Sequence, residues 1–204
     1  MASEISAELI TKAQAARRAA REIRRLPTDR KNTALEAIAA ALETDQEVVL
    51  QANALDLEAG RELGLSDAVL GRLLLDERRI SGMANDVRAV VALPDPVGES
   101  FDARTLPNGL QVERRRVPLG VIGCVYESRP NVTTDIAALC LKSGNAVVLR
   151  GGKEAAQSNA ALASVVKEAL KVTGVTVDAV QFVTDQDRSI VDQMIKLNDY
   201  LDLF

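Results

Sequence analysis

Residues 117–154, VPLGVIGCVYESRPNVTTDIAALCLKSGNAVVLRGGKE, read as strand, turn, helix, turn, strand and glycine-rich loop. That one stretch limits the chain to an α/β architecture. Residues 121–126 are an apolar run too short for a helix. Residues 131–134 supply cap-type side chains, and Ile136, Ala137, Leu139, Cys140 and Leu141 give the apolar face of a short helix. Ser143-Gly144-Asn145 then stops it, and residues 146–149 form a second apolar run. Apolar runs on both sides of a crossover helix predict parallel strands buried on both faces. In open sheets of this kind ligands bind outside the carboxyl ends of the strands, so residues 127–131 and 150–154 are the candidate site loops.

The chain before this unit reads as helix. Residues 4–26 carry Ile5, Leu9, Ala13, Ala16, Ala20 and Ile23 at three- and four-residue steps, ending at Pro27. Arg17, Arg18, Arg21, Arg24 and Arg25 form a basic stripe on the same helix, either a solvated face or a phosphate contact. Four more helices follow, the last starting at Asp76 and closed by Pro94 and Pro96. Residues 103–106 and 110–117 then predict a hairpin across Pro107-Asn108-Gly109. Its second strand carries Arg114, Arg115 and Arg116 in succession, so it cannot be buried on both faces, and an arm lying on a partner subunit is expected. Past the glycine-rich loop, residues 158–171 predict a second crossover helix, 180–184 a third parallel strand, 187–196 a short helix and 200–204 a fourth strand. A last strand with no following helix leaves one face uncovered, and the expectation is a truncated product or a sheet completed by something else.

Composition removes several function classes. The net charge of −4 with both signs interspersed recruits neither nucleic acid nor an acidic membrane surface. No apolar run approaches the roughly 20 residues a bilayer span needs. Histidine is absent, which withdraws the commonest general base and zinc ligand, and no metal site is expected. Cys124 and Cys140 lack metal-type spacing and do not make a disulfide framework, so a reducing, cytoplasmic setting fits. Arginine-rich starts occur in transit peptides, but Glu4, Glu8 and Glu22 speak against one here.

The strings RRRVPLGVIG and YESRPNVTTDIAALCLKSGNAVVLRGGKEA, with the earlier DPVG, closely resemble the γ-glutamyl phosphate reductases, or glutamate-5-semialdehyde dehydrogenases, of the aldehyde dehydrogenase superfamily. The likeness covers the N-terminal part of such enzymes. It implies a fold of N-terminal helices (residues 1–97), a β-hairpin oligomerisation arm (98–117) and the first part of a parallel, Rossmann-like dinucleotide-binding sheet (118–204). It also implies a cytoplasmic, homo-oligomeric enzyme of proline biosynthesis that uses NADPH to reduce L-glutamyl 5-phosphate to the semialdehyde, releasing phosphate.

By the same resemblance Asn131 corresponds to the asparagine that holds the developing oxyanion, a role suited to a fixed neutral donor. A plain helix cap is the other reading of Asn131. Arg129 suits the substrate's phosphate or α-carboxylate, or else a surface salt bridge. Arg150, Gly151, Gly152, Lys153 and Glu154 resemble the loop that holds the adenine ribose. The two cations there favour a 2′-phosphate and hence NADP, whereas a plain Gly-Gly turn would explain only the glycines. Gly120 and Gly123 do not complete a G-x-G-x-x-G.

In the family the nucleophilic cysteine and a phosphate-contacting glycine turn lie beyond a strand such as residues 200–204, and neither Cys124 nor Cys140 replaces that nucleophile. Without a thiolate there is no acyl-enzyme, so this chain alone is expected to lack reductase activity. The alternatives are a non-catalytic interaction module using the arm and an anion- or nucleotide-binding module. Nucleic-acid binding ranks last, because no aromatics interleave the arginines.

Overall fold

The structure, a computed structural model, describes residues 5–204. Five helices come first: α1 (Ala7–Ile23), α2 (Thr28–Thr44), α3 (Gln46–Glu62), α4 (Asp67–Leu73) and α5 (Glu77–Ala92). The expected start of α1 at Glu4 lies outside the described residues. Strands β1 (Ser100–Thr105) and β2 (Gln111–Arg115) make the hairpin. Then β3 (Val121–Val125), α6 (Asn131–Lys142), β4 (Ala146–Arg150), α7 (Ala156–Val172), β5 (Val180–Phe182) and α8 (Ser189–Ile195) complete the order.

The helix ends follow local chemistry. Asp76 caps α5 by accepting the Arg79 backbone N–H at 2.7 Å, and Gly144 and Gly174, with φ of 74° and 68°, close α6 and α7 in the left-handed conformation. α2 starts at Thr28, with Pro27 at its N-cap position.

β3, β4 and β5 form one parallel sheet in that order, with Val121 opposite Ala146 and Val147 opposite Val180. β4 is buried along its whole length, as its unbroken apolar run requires. The core combines the inner face of α1 (Leu9, Ala13, Ala16, Ile23) and of α2 (Leu35, Ile38, Leu42) with β4 and α7, and is aliphatic almost throughout. With aromatics at only 2% of residues, stability rests on many Leu, Ile and Val burials of about 1.5–3 kcal/mol each.

The hairpin turns, as expected, through the three residues 107–109, in which Leu106 N–H donates to Leu110 O at 2.8 Å and Gly109 sits at φ 86°; one expectation, the fourth strand, needs correction. That loop length places the left-handed residue after a tight turn. Residues 200–204 make no full strand. Leu203 forms a single parallel bridge to Ile122, with Asp202 N–H on Val121 O at 2.8 Å. Gly120 and Gly123 serve this segment: a Cβ on Gly123 would lie 2.8 Å from the Phe204 ring, and one on Gly120 would meet the Asp202 carboxylate. Asp202 in turn pairs with Arg17 of the basic stripe.

The hairpin stands clear of the body. Every residue of β1 is exposed, and its pairs Arg114–Asp102 (3.4 Å) and Arg116–Glu99 (2.7 Å) are solvent-facing.

Candidate functional site

Because β3 and β4 are adjacent and parallel, the loops at their carboxyl ends emerge side by side. Tyr126 N–H still bonds Arg150 O at 3.1 Å, so the strands stay paired up to the point where the loops begin. The Arg129 N–H donates to Glu127 O at 2.8 Å, turning the chain sharply into Pro130 and α6. Across from it, Lys153 starts a short 3-10 turn, Lys153–Ala155, that leads into α7. Ser128 Oγ donates to Glu154 Oε2 at 2.8 Å and joins the two loops. The structure therefore brings Asn131 and Lys153 to one rim of the sheet.

A buried chain forms the floor. Tyr126 OH donates to Thr133 Oγ1 at 2.6 Å, and Thr133 donates to Asn159 Oδ1 at 3.1 Å, linking β3, α6 and α7. Burial pushes the Tyr126 phenol above its usual range. Gly151 lies on this floor, where a Cβ would sit 2.1 Å from Asn159 Nδ2 and 3.1 Å from the Tyr126 ring. A Cβ on Gly152 would sit 2.9 Å from Glu154 Oε2 and 3.1 Å from Ser128 Oγ. The approach of Asn159 and Tyr126 leaves no room for a side chain at Gly151, whereas the neighbours of Gly152 are chiefly side-chain ends that can shift.

The candidate residues divide by setting. Arg129 and Lys153 are exposed and have no acidic partner among the described residues, so no surface salt bridge accounts for Arg129. Arg150 is the last residue of β4, buried, with Nη2 donating to Gln186 O at 3.1 Å and Nε without a protein partner. Asn131 opens α6 but does not cap it; its Nδ2 donates to Asp135 Oδ2 at 2.9 Å. Burial is the main reason that the Asp135 carboxyl is held above its usual range; the Asn131 bond acts against it and Asp86 adds to it.

The amino end of α7 is already occupied. Asp56 of α3 accepts the Gln157 and Ser158 backbone N–H groups at 3.1 and 2.8 Å, and Ser158 Oγ at 2.6 Å. A helix start is ordinarily a ready anion site. Here the Gln157 and Ser158 amides are committed to Asp56.

Neither thiol is poised for attack. Cys140 is 4% exposed and burial pushes it up to about 12, while burial raises Cys124 as well.

Residues 2–200 match the aldehyde dehydrogenase family. The chain belongs to that family. Among the relatives of this aldehyde dehydrogenase chain, the γ-glutamyl phosphate reductase of Roseiflexus castenholzii is 55% identical over 190 residues, covering 92% of this chain and 45% of that protein. The one from Moorella thermoacetica is 54% identical over 199 residues, covering 98% and 48%. The crystal structure of γ-glutamyl phosphate reductase from Thermotoga maritima superposes with a TM-score of 0.93 at 43% identity, over 95% of this chain and 47% of that one. The chain spans about half the length of the curated relatives it matches.

Aldehyde dehydrogenases use nicotinamide cofactors. In the loop of residues 150–154, Gly151 and Gly152 pack against Asn159, Tyr126, Ser128 and Glu154, Lys153 is an exposed cation, and Glu154 is a carboxylate fixed by Ser128. Sequence reasoning missed Ser128, Asp56 and Asp135. Only Asp135 carried a signal, its helical i,i+4 spacing from Asn131.

Proposed function

We propose that the chain supplies the helical part (residues 1–97), the arm (98–117) and the first part of the dinucleotide-binding fold (118–204) of a γ-glutamyl phosphate reductase. In this reading the enzyme is cytoplasmic and belongs to proline biosynthesis. It reduces L-glutamyl 5-phosphate to L-glutamate 5-semialdehyde with NADPH and releases phosphate. The supporting observation is identity of 51–55% to proteins of that name over 92% of the chain.

Each residue then has a defined task. Arg129 offers a bidentate guanidinium to the substrate phosphate or α-carboxylate. Asn131 has one N–H on Asp135 and a second free to meet the oxygen that gains charge as the acyl carbon is attacked. Lys153 meets the 2′-phosphate, Glu154 borders the ribose, and Arg150 braces the end of β4 beneath them. Bound NADPH supplies the hydride. Attack on the acyl phosphate needs a thiolate, and neither Cys124 nor Cys140 is placed or ionised for it, so the 204-residue chain alone has no turnover.

Titration of the chain with NADPH, followed by nicotinamide fluorescence, tests the cofactor assignment. Saturable binding that is tighter than for NADH, and weakened by Lys153→Glu, is expected; no saturable change would remove NADPH from the proposal. Turnover of the semialdehyde with NADP and phosphate by this chain would overturn its inactivity.

A second, non-catalytic reading is favoured by the fully exposed β1: a module that joins other subunits through its hairpin. Light scattering on the chain with and without residues 99–115 tests it, with loss of the homo-oligomer expected on deletion.

A further inference from the structure

The two ends of an asparagine amide have nearly the same shape, so packing alone does not decide which end faces a substrate. At Asn131 a charge decides it. Asp135 stands one helical turn along α6, and an ionised carboxylate only accepts hydrogen bonds, so it draws the Nδ2 end of Asn131 to 2.9 Å. The opposite orientation would set the amide oxygen against the carboxylate.

We propose that Asp135 is a positioning residue that fixes the Asn131 side-chain amide with its second N–H turned to the reaction pocket. The proposal rests on the reading of Asn131 as oxyanion donor. Other tasks for the pair are already assigned elsewhere. The Asn131 backbone carbonyl accepts Thr134 Oγ1 at 2.8 Å, α6 has no side-chain cap, and Asp135 makes no ion pair among the described residues. A donor held before charge develops needs no reorganisation when it does, which is the source of its effect on a transition state.

The surroundings make the device sensitive to protonation. Asp135 lines a groove of about 220 Å³ between α5 and α6 with Asp86, Val87, Val90, Ala138 and Leu139, so the ionisable neighbour facing it is another acid. Once protonated, the carboxyl can donate to the Asn131 amide oxygen and loses its power to select the nitrogen.

The test uses side-chain amide signals of the ¹⁵N-labelled 204-residue chain, with Asn131 assigned through Asn131→Ala. One Asn131 amide proton is expected downfield and protected from exchange. It should move to the free-amide position in Asp135→Leu, which removes the acceptor, and only part of the way in the isosteric Asp135→Asn, which keeps an uncharged one, with circular dichroism and the backbone amides of residues 132–142 unchanged. In the parent chain the signal should titrate above the ordinary aspartate range, and in Asp135→Asn it should not. Asn131 signals that ignore the substitutions would overturn the positioning role. In a complete reductase built around this segment, unchanged turnover after Asn131→Ala would instead overturn the oxyanion reading, on which the spectra do not depend.

Discussion

Ser128 and Glu154, 26 residues apart in sequence, share a hydrogen bond of 2.8 Å across the rim of the sheet. It is the direct side-chain link between the loop after β3, which leads to Asn131, and the loop after β4, which carries Lys153. The two loops are thereby tied at one point.

Ser128→Ala removes a bond to a charged acceptor at a half-buried position, with an expected cost of about 1–2 kcal/mol. Urea unfolding measures it. Amide exchange should rise in both loops, and exchange confined to residues 127–130 would show that the loops are not coupled.

The glycines differ in what they touch. Gly151→Ala forces a methyl group to 2.1 Å from the buried Asn159 amide, which has no room to retreat. Gly152→Ala presses mainly on the ends of Glu154 and Ser128, which can shift. Overpacking costs typically about 1–3 kcal/mol. Gly151→Ala should lie at or beyond the top of that range and Gly152→Ala near its bottom; equal unfolding midpoints would contradict the crowding argument.

Lys31 is 2% exposed and its Nζ lies 2.5 Å from Asp95 Oδ2, which also accepts Thr28 Oγ1 at 2.7 Å. Burial raises the Asp95 pKa, but the bonds from Lys31, Thr28 and the Val97 N–H outweigh it and hold the carboxyl below its usual range. A depressed carboxyl contributes stability present above the unfolded value, about 3.9, and lost as pH falls through the lower folded value. Acid unfolding should therefore steepen below about pH 4 in the parent chain and less so in Asp95→Ala. At neutral pH, Asp95→Ala strands a buried ammonium, with an expected loss of about 3–5 kcal/mol in a denaturant titration.

The Cys140 thiol should be silent until the fold opens. With the Cys140 pKa near 12, thiolate at pH 8 is about one part in ten thousand. Ellman's reagent should report almost no fast-reacting Cys140 in the native chain and two thiols in urea. Rapid native modification of Cys140 would refute the burial argument.

What could be read without coordinates was local. The apolar runs of β3 and β4, the helix periodicity, the Asp76 cap and the stops at Gly144 and Gly174 each depend on neighbours a few residues away. The RPN and RGGKE loops could be placed at strand ends for the same reason, and Asn131–Asp135 lay within one helical turn. Residues 200–204 look like a strand by composition, yet pairing depends on what lies alongside, and the structure gives a single bridge at Leu203. Arg150 looked like a loop cation, but β4 extends through it and turns its guanidinium to Gln186.

By itself the sequence determined the elements and the chemical groups at their ends. Only the tertiary structure decided which groups meet: Ser128 with Glu154, and Asp56 with Ser158 across 102 residues. Periodicity and capping follow from backbone geometry within a turn or two. A contact between distant side chains depends on how whole elements pack, and no local pattern encodes that.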